Sequence, residues 1–93
     1  MKIKFIINPI SGTGKQIGIE EDITKHFENF EIIYTQKTGD ATRISKEAAN
    51  ENIDAVIAVG GDGTVNECIK GLINTNTALG VIPCGSGNGF AYH

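Results

Sequence analysis

A glycine-rich turn that carries a carboxylate is the part of this sequence best suited to chemistry. It consists of Gly60-Gly61-Asp62-Gly63 and follows residues 53–59, an apolar run that predicts a buried strand. Apolar residues then recur at helical spacing over residues 65–73, and a Thr64/Glu67 capping box predicts that this helix begins at Thr64. Such a turn favours bound phosphate, because free amides at a helix N-terminus point towards the ligand.

Asp62 distinguishes two interpretations of this turn. The simpler one is a tight strand-to-helix connection with no ligand, since glycine turns of this kind are common. A carboxylate in a phosphate-binding turn repels the ligand unless a metal ion or a proton transfer justifies its place. The turn therefore indicates phosphoryl transfer rather than passive anion binding, with Asp62 as the candidate catalytic group.

The rest of the chain alternates predicted strands and helices. Strands are predicted at residues 3–7, 31–35, 54–59 and 78–82, and helices at about 16–27, after Asp40 as N-cap, at about 64–74 and from about Phe90. This order predicts an α/β fold with three layers (α/β/α), whose parallel sheet has at least four strands in the order 2-1-3-4. Ligands of such sheets bind at the carboxyl ends of the strands, where the loops after strands 1, 3 and 4 meet.

Bulk composition excludes several classes of protein. The 93 residues suffice for one small domain, and a net charge of -3 argues against a nucleic-acid surface. No run of 18 apolar residues predicts a membrane span. Cys68 and Cys84 have neither a disulfide framework nor metal-ligand spacing, so free thiols in a reducing cytoplasm are expected, with no metal ligands assigned.

Two widespread phosphate-binding motifs do not fit. In G-x-x-x-x-G-K-[ST], Pro9 occupies the first glycine position and Gln16 the Ser/Thr position, which leaves Lys15 as weak evidence. In G-x-G-x-x-G, the third glycine is replaced by Asn66 in one candidate and by Phe90 in the other.

Three loops taken together resemble one enzyme superfamily. They are Asn8-Pro9-x-Ser11-Gly12, Gly60-Gly61-Asp62-Gly63-Thr64-Val65-Asn66-Glu67, and Pro83-x-Gly85-Ser86-Gly87-Asn88-x-Phe90-Ala91. In this order, each after a predicted strand, they resemble the N-terminal catalytic domain of the diacylglycerol kinase, sphingosine kinase and ceramide kinase superfamily, and bacterial lipid kinases in particular. The resemblance covers residues 5–92.

The resemblance implies ATP-dependent phosphorylation of a lipid hydroxyl with Mg²⁺. It makes Asp62 the acid/base group and assigns nucleotide contacts to Asn8, Pro9, Ile10, Thr35, Gly60, Gly61, Asp62, Gly63, Thr64, Val65, Asn66 and Ser86. Gly89 departs from many bacterial diacylglycerol kinases, which have an aspartate there, so the lipid is left open.

The resemblance also implies a longer protein. Family members continue into a β-rich domain that supplies acidic metal-site residues and the lipid pocket. We therefore expect residues 1–93 to be the truncated N-terminal ATP-binding lobe of a two-domain enzyme, inactive on its own. The expected partners are ATP and a lipid at the membrane surface. The expected location is the cytoplasm, with peripheral contact at the inner face of the membrane left open.

Two other functions stay open. One is a kinase for a soluble substrate, of the NAD kinase or phosphofructokinase type, which also carries a GGDG turn after a parallel strand. The other is a non-catalytic nucleotide-binding fragment.

Overall fold

The computed structural model describes residues 1–9, 15–85 and 89–90 of the chain. Its elements in chain order are β1 (Ile3–Ile7), α1 (Lys15–His26), β2 (Phe30–Tyr34), α2 (Asp40–Asn50), β3 (Ala55–Gly60), α3 (Asp62–Leu72), β4 (Ala78–Gly85) and β5 (Gly89–Phe90). The predicted alternation of strands and helices is confirmed, and most boundaries agree within one or two residues.

The strands form one sheet in the order β2-β1-β3-β4-β5. The first four are parallel, with Ile3 opposite both Phe30 and Ala55, so the predicted order 2-1-3-4 is confirmed. The helix predicted to begin near Phe90 is wrong at that position, because Gly89–Phe90 pairs antiparallel with the end of β4. β4 runs on to Gly85 and presents an open edge, and β5 satisfies the backbone groups there.

Helices cover both faces of the sheet, as predicted. In β1, Phe5 and Ile7 face α1, whereas Ile6 faces α2 and α3, which is the two-residue alternation of a strand. The cluster under α1 contains the buried residues Phe5, Ile7, Ile19, Ile23 and Val59. The cluster on the opposite face contains the buried residues Ile6, Ala41, Ile44, Ala48, Val56, Ala58, Cys68 and Leu72.

Helices α2 and α3 pack at close range on this second face. A Cβ added to Gly71 would lie 2.5 Å from the carbonyl oxygen of Thr42 and 2.6 Å from Cβ of Ser45. Real side chains do not approach so closely, so this contact requires glycine. Cys68 is buried beside it, and the burial raises the pKa of its thiol, which fits a packing role rather than a nucleophilic one.

Candidate functional site

The carboxyl ends of three strands meet at one edge of the sheet. Because Ile7 lies opposite both Tyr34 and Val59, the residues that follow these strands lie side by side. The amide of Asn8 donates to the carbonyl of Val59 (3.1 Å), and the amide of Thr35 donates to the carbonyl of Ile7 (2.9 Å). The hydroxyl of Thr35 then reaches Oδ1 of Asn8 at 3.4 Å, so two predicted nucleotide-binding side chains touch.

Gly60 ends β3 at the point where the strand meets α3. The residue is buried, and a Cβ placed on it would lie 2.9 Å from Oγ1 of Thr64 and 3.4 Å from Cβ of Asn8. Glycine therefore allows the first turn of α3 to approach the ends of β1 and β3. Thr64 is a buried residue, and its hydroxyl faces this junction.

The start of α3 differs from the predicted capping box. The helix begins at Asp62, and its N-cap is Gly61, which has no side chain to accept a hydrogen bond. Glu67 does not reach back to cap its own helix; its carboxylate accepts instead from the amides of Gly39 and Ala41 at the start of α2. The cap position thus supplies no side-chain acceptor for the first amides of α3, and an anionic ligand can take that place.

The other predicted turn residues fall into two groups. Gly61, Asp62, Gly63 and Asn66 are exposed at the start of α3, and Pro9 is exposed beside Asn8. Val65 is half-buried and packs against the cluster under α2 and α3, and its amide already donates to the carbonyl of Gly61. Ile10 and Ser86 lie outside the described residues.

A polar cleft of about 290 Å³ lies between these elements. It is lined by Asn8, Thr35, Gln36, Lys37, Thr38, Ala41, Gly63, Thr64 and Glu67. Four of these were predicted as nucleotide-binding residues: Asn8, Thr35, Gly63 and Thr64. Sequence reasoning missed the wall formed by residues 36–38 and by Glu67. The loop after β2 could have been included, because it follows the carboxyl end of a parallel strand just as the three glycine-rich loops do.

Asp40 holds this missed wall in place. It was predicted to cap α2, but the cap is Gly39, and Asp40 is the first residue of the helix. Its Oδ2 accepts hydrogen bonds from the amides of Gln36 (2.8 Å) and Lys37 (3.1 Å), so it fixes the preceding loop. The Gln36 bond foremost, with help from Lys37 and the Arg43 guanidinium, lowers the pKa of Asp40 against the opposing effect of desolvation.

This pKa predicts how Asp40 contributes to stability as the pH changes. A carboxyl whose pKa is lowered by folding stabilises the protein above its unfolded pKa of about 4, and the contribution is lost as the pH falls through the lower folded value. The melting temperature of full-length protein should therefore exceed that of Asp40→Asn by a constant margin at pH 5–7, and the margin should shrink below about pH 4. The exposed control Glu28→Gln should show no such margin. A margin unchanged down to pH 2 would contradict this assignment.

Comparison with known proteins identifies the class of protein. Residues 2–93 match the diacylglycerol kinase catalytic domain. A diacylglycerol kinase of Bacillus subtilis is 39% identical over 99 aligned positions, which cover 97% of this chain and 32% of that protein. A diacylglycerol kinase of Staphylococcus aureus (strain JH9) is 48% identical over 58 positions, which cover 60% of this chain and 18% of that protein.

A crystal structure agrees with the sequence relatives. A diacylglycerol kinase from Bacillus anthracis superimposes with a TM-score of 0.78 and 35% identity, over 94% of this chain and 31% of that one. The chain therefore belongs to the diacylglycerol kinase catalytic domain family, and the predicted family is confirmed. It spans about a third of the length of its full-length bacterial relatives. Within the described ranges, no helix is both long and apolar enough to cross a membrane.

Proposed function

We propose that the full-length protein is a lipid kinase and that this chain supplies its ATP site. The observation that carries the proposal is the first turn of α3: its cap residue offers no side-chain acceptor, and the exposed carboxylate of Asp62 lies beside it. Amides at a helix N-terminus bind phosphate, and an adjacent carboxylate can accept the proton of an attacking alcohol. The names of the relatives support a lipid hydroxyl as the acceptor.

In this proposal each wall of the cleft has its own task. The amides of Asp62, Gly63 and Thr64 bind the phosphates, while Asn8 and Thr35 contact the rest of the nucleotide from the ends of β1 and β2. Ile10 and Ser86 are assigned to the nucleotide by the family resemblance alone. Phosphoryl transfer depends mainly on positioning and electrostatic stabilisation, which preformed amides provide without reorganisation.

Mg²⁺ fits this site in part. Kinase sites hold the ion through one or two carboxylates together with substrate phosphates, and Asp62 is placed to supply one such ligand. Among residues 1–9, 15–85 and 89–90, no three His, Cys, Asp or Glu side chains cluster as a metal site. When bound, the ion would neutralise phosphate charge. Its ligands would be the carboxylate of Asp62, from the described part of the chain, and the phosphates of the nucleotide.

A phosphotransfer panel tests the proposed function. Purified full-length protein is incubated with γ-labelled ATP, Mg²⁺ and separate acceptors: diacylglycerol or sphingosine in mixed micelles, NAD, and fructose 6-phosphate. Label should enter a lipid acceptor and neither soluble one. Label in NAD or in the sugar phosphate would support the soluble-substrate alternative, and hydrolysis without transfer to any acceptor would contradict the proposal.

The lipid would meet the protein at the membrane surface, through parts of the protein outside this chain.

Gly61→Ala tests whether the ligand comes close to the turn. A Cβ on Gly61 meets no atom of the described residues within 4 Å, and φ of -92° is allowed for alanine. Because alanine is a poorer N-cap than glycine, the melting temperature of the full-length variant should fall, but by only a few degrees. If phosphate packs against this backbone, the methyl group will obstruct it and raise KM for ATP by about fivefold or more, which corresponds to about 1 kcal/mol. An unchanged KM for ATP would place the phosphates elsewhere.

A further inference from the structure

Glu67 of α3 fastens the start of α2. Its Oε1 accepts hydrogen bonds from the amides of Gly39 (3.1 Å) and Ala41 (3.2 Å), which flank the first residue of α2. These amides lie 28 and 26 residues away in the sequence, so the carboxylate joins two separate elements. The contact is favourable, because negative charge is stabilised at the positive end of the helix dipole.

The loop attached to this helix start is itself held firmly. Asp40 accepts from the amides of Gln36 and Lys37, so Asp40 and Glu67 together bind four amides between residues 36 and 41. Thr35, which carries the hydroxyl that contacts Asn8, directly precedes this segment. A shift of the Glu67 carboxylate would therefore move this hydrogen-bonded loop, which forms one wall of the cleft.

The opposite wall belongs to the helix that carries Glu67. The first turn of α3, with Gly63 and Thr64, lines the same cleft. A second hydrogen bond joins α2 and α3 near the cleft, since the hydroxyl of Thr42 donates to the backbone carbonyl of Glu67 at 2.9 Å. Further along, the contact at Gly71 brings α2 and α3 close together. The Glu67 carboxylate thus connects the two walls at the level of the cleft.

We propose that Glu67 is a positioning residue that sets the separation of the two walls and so the affinity for nucleotide. Its carboxylate accepts from the amides of Gly39 and Ala41, so the N-terminus of α2 is not free to bind phosphate. Phosphate is thereby directed to the first turn of α3. The inference rests on the proposed ATP site. Glu67 acts through the loop at residues 35–41, without contacting the reacting atoms.

Two variants of the full-length protein separate position from charge. Glu67→Gln keeps the length of the side chain and an oxygen that accepts from both amides, whereas Glu67→Asp keeps the charge but is one methylene shorter. We expect Glu67→Gln to hold KM for ATP within about threefold of wild type. We expect Glu67→Asp to raise it about tenfold or more, with kcat changed by less than about threefold; tenfold corresponds to about 1.4 kcal/mol. Assays are run well below the melting temperature of each variant.

Hydrogen exchange and a control variant complete the test. The amides of Gly39 and Ala41 should exchange faster in Glu67→Asp and near the wild-type rate in Glu67→Gln. Glu47→Gln, on the exposed side of α2, should leave KM for ATP unchanged. An unchanged KM in Glu67→Asp would overturn the inference and reduce the contact to a structural one, even if the melting temperature falls. A rise in KM in Glu67→Gln without a rise in Glu67→Asp would overturn it in favour of a charge effect. Wild-type protein that does not bind ATP would instead defeat the proposed function.

Discussion

Replacing Asp62 with asparagine should lower kcat of the full-length protein by about a hundredfold or more, the usual contribution of a general base. The carboxylate is exposed on the first residue of α3, beside amides that have no side-chain cap. In the proposed function it would accept the proton of the attacking hydroxyl or help to hold Mg²⁺. Asparagine keeps the size of the side chain but removes both abilities. KM for ATP should stay the same or fall slightly, because a negative charge near the phosphates is lost.

The same variant should fold normally. Asp62 is exposed and fills no core volume, so the free energy of unfolding should change by less than about 1 kcal/mol. Asp54→Asn is a suitable control, because Asp54 precedes β3 and so lies at the end of the sheet opposite to Asp62. This control variant should keep the wild-type kcat. Near-normal kcat in Asp62→Asn would show that Asp62 only forms the turn. A large fall in melting temperature with lost activity would give it a structural role instead.

Gly71→Ala should cause the largest loss of stability of any glycine-to-alanine substitution in the described helices. The new Cβ would lie 2.5 Å from the carbonyl oxygen of Thr42 and 2.6 Å from Cβ of Ser45, and the first of these atoms belongs to a helix backbone. Relief requires α2 and α3 to move apart, which loosens the buried contacts around Cys68 and Leu72. We expect the free energy of unfolding to fall by about 3 kcal/mol, as for an overpacked core.

Gly18→Ala provides the matched control for this prediction. Gly18 is an exposed residue of α1, and a Cβ there meets no atom within 4 Å among the residues that the structure describes. The same substitution should therefore stabilise the protein by about 0.5–1 kcal/mol, since alanine is the better helix former. Both variants are compared with wild type by thermal and urea unfolding. Equal effects of the two substitutions, or a stable Gly71→Ala protein, would contradict the close packing of α2 against α3.

The fold was predictable because its signals are local and repeated. The apolar run before Gly60 and the helical spacing after Thr64 fix one strand and one helix, and the same alternation recurs along the chain. Short connections and right-handed crossovers then leave few sheet orders, and the predicted one is confirmed. The pairing of Gly89–Phe90 with β4 was missed, because a two-residue strand has no periodicity of its own.

The two errors at the site have different physical causes. The spacing of Thr64 and Glu67 matches a local capping box, but in the fold the carboxylate finds two amides of α2 instead. Tertiary packing decides this partner, and spacing along one helix carries no information about the neighbouring helix. The error at Asp40 is local, because its carboxylate accepts from the amides three and four residues before it rather than from the helix start. The nucleotide contacts themselves stay a prediction.

A crystal structure of the full-length protein with Mg²⁺ and a non-hydrolysable ATP analogue would show directly whether the phosphates bind at the first turn of α3. Phosphate oxygens should lie within hydrogen-bonding distance, about 3 Å, of the amides of Asp62, Gly63 and Thr64, with the rest of the nucleotide beside Asn8 and Thr35. The start of α2 should remain occupied by Glu67. Phosphates bound at the start of α2, or a nucleotide lodged in the apolar groove between α1 and β4 that Phe27 and Val81 line, would contradict the proposed ATP site.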